Sequence, residues 1–156
     1  MRQLASVALL ASLLTGSLAT AQEGPTPEQR AVNARQSHMQ LYAFNLSALG
    51  GMAQGSIPYD AADAAAAAEN LSHMVQIDQK FYWIPGTSSE EIEGSHALPA
   101  IWENMEDFQA KHAALQDAVA NLVTAAGTDQ ATLGAAMGGV GQACGACHQA
   151  YRAPMN

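Results

Sequence analysis

"CGACHQAYR" occupies residues 144–152, close to the end of a 156-residue chain. Cys144 and Cys147 are its only 2 cysteines, and His148 follows directly. On a helix these positions are i, i+3 and i+4, so both sulfurs and the imidazole share one side. A disulfide between thiols this close would close a tiny loop and staple almost nothing. A thioredoxin-like dithiol belongs beside a βαβ pattern, and a zinc site needs further ligands from a second CxxC or an HExxH. The chain carries neither motif. C-x-x-C-H is instead the spacing at which two thiols bond the vinyl groups of a c-type haem while the histidine offers a nitrogen to the iron. The expectation is one covalent haem c, held by Cys144 and Cys147, with His148 on the metal.

The other end of the chain agrees with this. "MRQLASVALLASLLTGSLATA" (residues 1–21) has a charged start, an apolar run from Leu4 to Leu14 and small residues before Gln22. It has the form of a cleaved secretory signal peptide, which places residues 22–156 in the periplasm as one domain with no stable membrane insertion. Haem of this type is attached after export. The whole chain holds 6 Lys+Arg against 14 Asp+Glu. Loss of Arg2 with the leader leaves 5 − 14 = −9. Such an acidic surface excludes nucleic acid as a partner, since no basic stripe can displace phosphate counterions, and it steers cationic partners inward.

Apolar residues recur with helical period along the whole chain, and no stretch alternates with period two. Thr26-Pro27 with Gln29 has the form of an N-cap, a first-turn proline and a capping-box partner. The first helix then carries Val32, Gln36, Met39, Ala43, Leu46 and Leu49 as its inward stripe and is expected to end at Gly50-Gly51. Asp60 should cap a second helix bearing Leu71, Met74, Val75, Phe81 and Tyr82. A polar loop over 84–95 precedes a third, with Leu98, Ile101, Met105, Phe108, Leu115, Val119 and Leu122. Thr128 should cap a fourth, with Leu133, Met137, Val140, Cys144, Cys147 and Tyr151 on one face. Together these predict an all-α, antiparallel up-down-up-down four-helix bundle. Gly134, Gly138, Gly139, Gly141 and Gly145 each weaken the last helix by about 1 kcal/mol relative to alanine. That cost suggests something bulky lying against its backbone. No nucleophile–base pair or carboxylate dyad can be placed, so the chain is not expected to be an enzyme.

A helical bundle with CxxCH near its C-terminus, followed by "QAYR" (149–152), resembles the class II cytochromes c, the cytochrome c prime family. "ARQ" (34–36), "PYD" (58–60), "PGTS" (85–88) and "AIW" (100–102) add to the likeness. The resemblance implies two branches. In one, the sixth iron position is empty behind an apolar residue of the first helix, and the high-spin protein binds nitric oxide or carbon monoxide. In the other, a methionine fills it and the low-spin protein carries electrons. Met39, four residues after Arg35 and 19 before Pro58, matches the distal position. Its soft, neutral thioether suits ferrous haem. A His/Met-ligated carrier of single electrons between redox partner proteins is therefore the expectation, with the gas-binding form as the alternative. His38, about 100° further round the helix, is expected off the inward stripe. The resemblance also implies that Arg35 and Gln36 lie at the haem propionates and that Arg152 lies beside the proximal histidine. It further implies a homodimer through the first two helices, for which residues 61–68 offer a flat, alanine-rich surface.

Overall fold

The structure, a computed structural model, describes residues 24–154. The expected leader lies outside the described residues. Five helices follow in order: α1 (Pro27–Gln54), α2 (Ala61–Val75), α3 (Ala100–Glu103), α4 (Met105–Ala126) and α5 (Gln130–Tyr151). The four long ones pack in a ring: α1 against α2 and α5, and α4 against α2 and α5. The turns over 55–60 and 127–129 are too short for anything but antiparallel neighbours. The four-helix bundle is thus the observed architecture. A single isolated β-bridge, between Ala97 and Arg152, ties the long α2–α3 segment to the end of α5.

The capping chemistry explains most boundaries. Thr26 accepts from the Gln29 amide at 3.2 Å, and Gln29 Oε1 accepts from the Thr26 N–H at 2.9 Å, which completes the capping box. Asp60 takes the Ala62 and Asp63 amides at 2.9 Å each. Four boundaries differ from expectation. First, α1 runs through Gly50-Gly51 to a left-handed cap at Gly55 (φ 75°). Gly51 is small because Ile57 folds back on it: an added Cβ would stand 2.6 Å from Ile57 Cδ1. Second, α2 stops at Val75, which leaves Phe81 exposed in the connecting segment. Third, the third helix is broken at Asn104, whose side chain starts α4 by accepting from Asp107 N. Fourth, Asp129 rather than Thr128 caps α5, accepting from Thr132 N at 2.9 Å.

The inward face of α1 also differs. The buried residues are Ala31, Val32, Arg35, His38, Tyr42, Asn45, Leu49 and Met52, so His38 is inside and Met39 is not. Hydropathy conceals this because the stripe is polar, and each polar member needs a partner to be buried at tolerable cost. Asn45 supplies one, its Oδ1 accepting from Asn70 Nδ2 on α2 at 3.1 Å. Arg35 is the strongest. Its Nη1 donates to the Tyr82 carbonyl (3.0 Å) and Thr87 Oγ1 (2.9 Å), and its Nη2 to the Thr87 carbonyl and Ser95 Oγ (2.7 Å). Its guanidinium also lies 5.0 Å from the Trp83 ring centroid. One side chain thus fastens the irregular 76–99 segment to α1. Burial pulls its pKa down to about 10, so it stays cationic at neutral pH.

Among the described residues, no other part of the chain lies against the α5 glycines. An added Cβ at Gly134, Gly138, Gly139, Gly141 or Gly145 would meet nothing within 4 Å. The protein itself leaves room for a methyl group there, so alanine should be accepted. Gly138→Ala and Gly139→Ala should each stabilise by about 0.5–1 kcal/mol. Calorimetry should show melting raised by about 2–5 °C per substitution. Arg35→Leu should cost about 2–4 kcal/mol in denaturant titrations, since it strips several buried acceptors of a charged donor. Amide exchange should accelerate across residues 82–95. Arg35→Lys should restore little, because a single ammonium cannot serve four acceptors.

Candidate haem site

The apolar interior divides into two clusters. The larger holds Leu49, Leu71, Val119, Leu122, Leu133 and Val140, with Cys144 packed on it. The smaller holds Ala97, Ile101, Phe108 and Tyr151, with Cys147 and Trp83 packed on it. A cavity of about 600 Å³ opens between them. That volume is in the range of cofactor sites, about 300–1,000 Å³. One turn of α5 spans the seam, so its two cysteines face different clusters across the same space.

The sequence-predicted residues converge there. Cys144, Cys147, His148 and Arg152 line the cavity from α5 and its end. Arg35, Gln36 and Met39 line it from α1. Both cysteines are free thiols and half-buried. Burial raises the pKa of each, and the neighbouring Cys144 adds to the effect at Cys147. Neither thiol is thereby tuned for dithiol redox chemistry, which needs a depressed pKa. Burial, then Arg152, lowers the pKa of His148. That keeps the imidazole neutral at pH 7 with a lone pair for a metal. No cluster of three His, Cys, Asp or Glu side chains suited to a bare metal ion occurs among the described residues. Two thiols at a cofactor-sized, largely carbon-lined cavity, with a neutral imidazole beside them, fit a covalently held haem.

On α1, Met39 falls between Arg35, Tyr42, Ala43 and Leu46 at three- and four-residue spacing, at the middle of the face that lines the cavity. Its side chain is 40 % exposed there. His38 is absent from that lining; its Nδ1 lies 3.3 Å from Tyr82 Oη, away from the cavity. Of the expected inward stripe, Gln36, Met39, Ala43 and Leu46 face the cofactor space, while Val32 and Leu49 at its ends are buried in the protein. Arg35 lines the cavity with its four terminal N–H groups directed to the 76–99 segment. Gln36 Nε2 donates to the Gly94 carbonyl at 2.6 Å. Both residues thus line the cavity and also hold the 76–99 segment. Sequence reasoning placed Leu46 on this stripe but missed Tyr42, although it stands at helical spacing from Met39. It also missed Gln79 and Ala97, whose irregular segment offers no period to read.

Asp107 Oδ2 accepts from Tyr151 Oη at 2.5 Å. That bond pushes the phenol pKa up to about 12 and holds the Asp107 carboxyl below the ordinary range. It locks the end of α5, and with it His148, onto the start of α4. Among the described residues no helix is long and apolar enough to cross a membrane.

Comparison with known proteins agrees with this geometry. Residues 30–152 match the family model described as cytochrome C'. A cytochrome c-554 from Cereibacter sphaeroides is 42% identical over 97% of this chain and 98% of its own length. A cytochrome c' from the same organism is 38% identical over 97% and 98%. Among solved structures, a cytochrome c' from Rhodobacter Spheriodes superposes with a TM-score of 0.80 at 40% identity, covering 82% of this chain and 98% of its own. A cytochrome c prime from Alcaligenes xylosoxidans gives 0.71 at 38%, over 85% and 100%. Proteins of this kind carry covalently bound haem c with its iron, and the chain belongs to the cytochrome c' family.

Proposed function

We propose that this is an exported, periplasmic haem c protein whose distal iron position admits a small diatomic ligand, nitric oxide or carbon monoxide. Bound haem would supply an iron that exchanges one electron and takes such ligands. In this reading Cys144 and Cys147 become thioethers and His148 presents its nitrogen to the proximal face. Arg152, exposed at the end of α5, lowers the basicity of that imidazole by its charge. The observation that carries the reading is the α1 face of the cavity. Around Met39 it offers Ala43, Leu46 and the Tyr42 ring, with no charged group between them. A carbon-lined wall of this kind excludes water and charged ligands but not a neutral diatomic. The comparison supports the same reading: variants of the Alcaligenes xylosoxidans relative have been solved as a nitric oxide complex and with carbon monoxide bound.

A second reading rests on Met39 itself. The thioether is the one soft donor on that wall, and a six-coordinate His148/Met39 iron would make the chain an electron carrier for redox partner proteins. The sequence analysis ranked this first. It takes second place because the Met39 side chain is well exposed in the cavity wall, and because the gas complexes belong to relatives that match the whole bundle.

Mass spectrometry of protein expressed with a haem-attachment system should show one added haem and no free thiols. An unmodified chain would sink both readings. The ferric spectrum should be high-spin, and the ferrous protein should bind carbon monoxide. Met39→Ala should raise that affinity by about tenfold, worth about 1.4 kcal/mol, by removing a guard. A low-spin ferric spectrum with the near-infrared methionine-to-iron band, lost in Met39→Ala, would instead establish the carrier.

A further inference from the structure

A second pocket of about 510 Å³ lies between α4 and the 76–99 segment. It shares Gln79, Trp83, Phe108 and His112 with the cavity between the apolar clusters. These four side chains are therefore the partition between the two spaces. Three of them are held firmly. Trp83 lies under Arg35, meets Phe108 at 4.7 Å between centroids, and donates from Nε1 to Gln79 Oε1 at 3.1 Å. Phe108 is buried and also packs edge-on against Tyr151 at 5.4 Å. Gln79 is held by Trp83. His112 is half-buried and has a single hydrogen-bond contact, Nε2 to Gln79 Nε2 at 3.2 Å.

The direction of that bond follows from the donors. An indole N–H only donates, so the Gln79 oxygen must face Trp83 and its amide NH₂ must face His112. His112 Nε2 therefore accepts, and the ring is neutral with its proton on Nδ1. A second proton would have to sit on Nε2, donor against donor, and the contact would be lost.

We propose that the Gln79–His112 hydrogen bond is a gate between the haem cavity and the second pocket, opening for small uncharged ligands when His112 takes up a proton. The selectivity follows from the rest of the partition: beside the Gln79–His112 contact the wall is made of the Trp83 and Phe108 rings, where an ion would lose its hydration without a partner. Burial lowers the pKa of His112 from its ordinary value, so the closed form prevails at neutral pH and opening belongs to mild acid. The titratable and charged groups that share its two spaces or couple to it are His38 and Arg35 on α1, Asp78 and Lys80 on the connecting segment, Lys111 on α4, and Cys144, Cys147 and His148 on α5. Asp78 and Lys80, of opposite charge, both line the second pocket.

This inference rests on the cavity being the haem site but not on the resting state of its iron. Met39→Ala holoprotein supplies an open iron position under either reading of the function, so the test is made in that background. Nitrogen-resolved NMR should first find His112 as the Nδ1–H tautomer at about pH 8 and give its pKa. Stopped-flow association of carbon monoxide with the ferrous protein should then quicken about fivefold from pH 8 to pH 5, the factor one neutral hydrogen bond is worth. The change should follow the NMR pKa. With His112→Ala added, the fast rate should persist at all pH. With His112→Gln added, whose amide oxygen can still accept from Gln79, the slow rate should persist at all pH. An Nε2–H tautomer would overturn the gate. So would an unchanged rate in the His112→Ala protein at pH 8, or a pH dependence retained in the His112→Gln protein. If wild type alone fails to take carbon monoxide, the open-iron reading falls and the gate is judged on the variants.

Discussion

One turn of α5 lies where two apolar clusters meet, and everything functional follows from that placement. Leu133 and Val140 anchor the helix in the larger cluster, and Tyr151 anchors it in the smaller. Between them, Cys144 and Cys147 each pack on a different cluster, with His148 beside them. Because i, i+3 and i+4 share a helix face, a cofactor bonded to both sulfurs must bridge the two clusters. A haem held there is then part of the core, which accounts for a cavity of about 600 Å³ inside a bundle this small. Protein interiors otherwise leave few voids larger than a water molecule.

The second constraint is the irregular 76–99 segment, which forms a wall of the cavity without a helix to stiffen it. Its order comes from polar contacts instead. Arg35 collects the Tyr82 and Thr87 carbonyls and the Thr87 and Ser95 hydroxyls. The Ala97–Arg152 bridge then ties the segment to the end of α5. A buried arginine is costly unless every donor is used, and here its use converts a loop into a fixed part of the site. Trp83, held under that guanidinium, positions Gln79, and Gln79 in turn fixes the tautomer of His112. A structural contact on α1 thereby reaches the partition between the two pockets.

The sequence by itself determined the helical class, the N-caps at Thr26 and Asp60, and the convergence of Cys144, Cys147 and His148. These are local matters: the 3.6-residue period, hydrogen bonds spanning two or three residues, and one motif on one helix. The α5 face from Leu133 to Tyr151 was legible for the same reason. Only the tertiary structure decided which side of α1 is core. Arg35, His38 and Asn45 look like surface residues until their partners at Thr87, Tyr82 and Asn70, tens of residues away, are in place. The apolar stripe through Met39 and Leu46 looks like core until the cavity beside it is seen. Likewise Gly50-Gly51 has the local signature of a helix end, but Ile57 folding back on Gly51 gives it another use. Local propensity is written residue by residue, whereas the burial of a polar group depends on a partner that only the folded chain brings near.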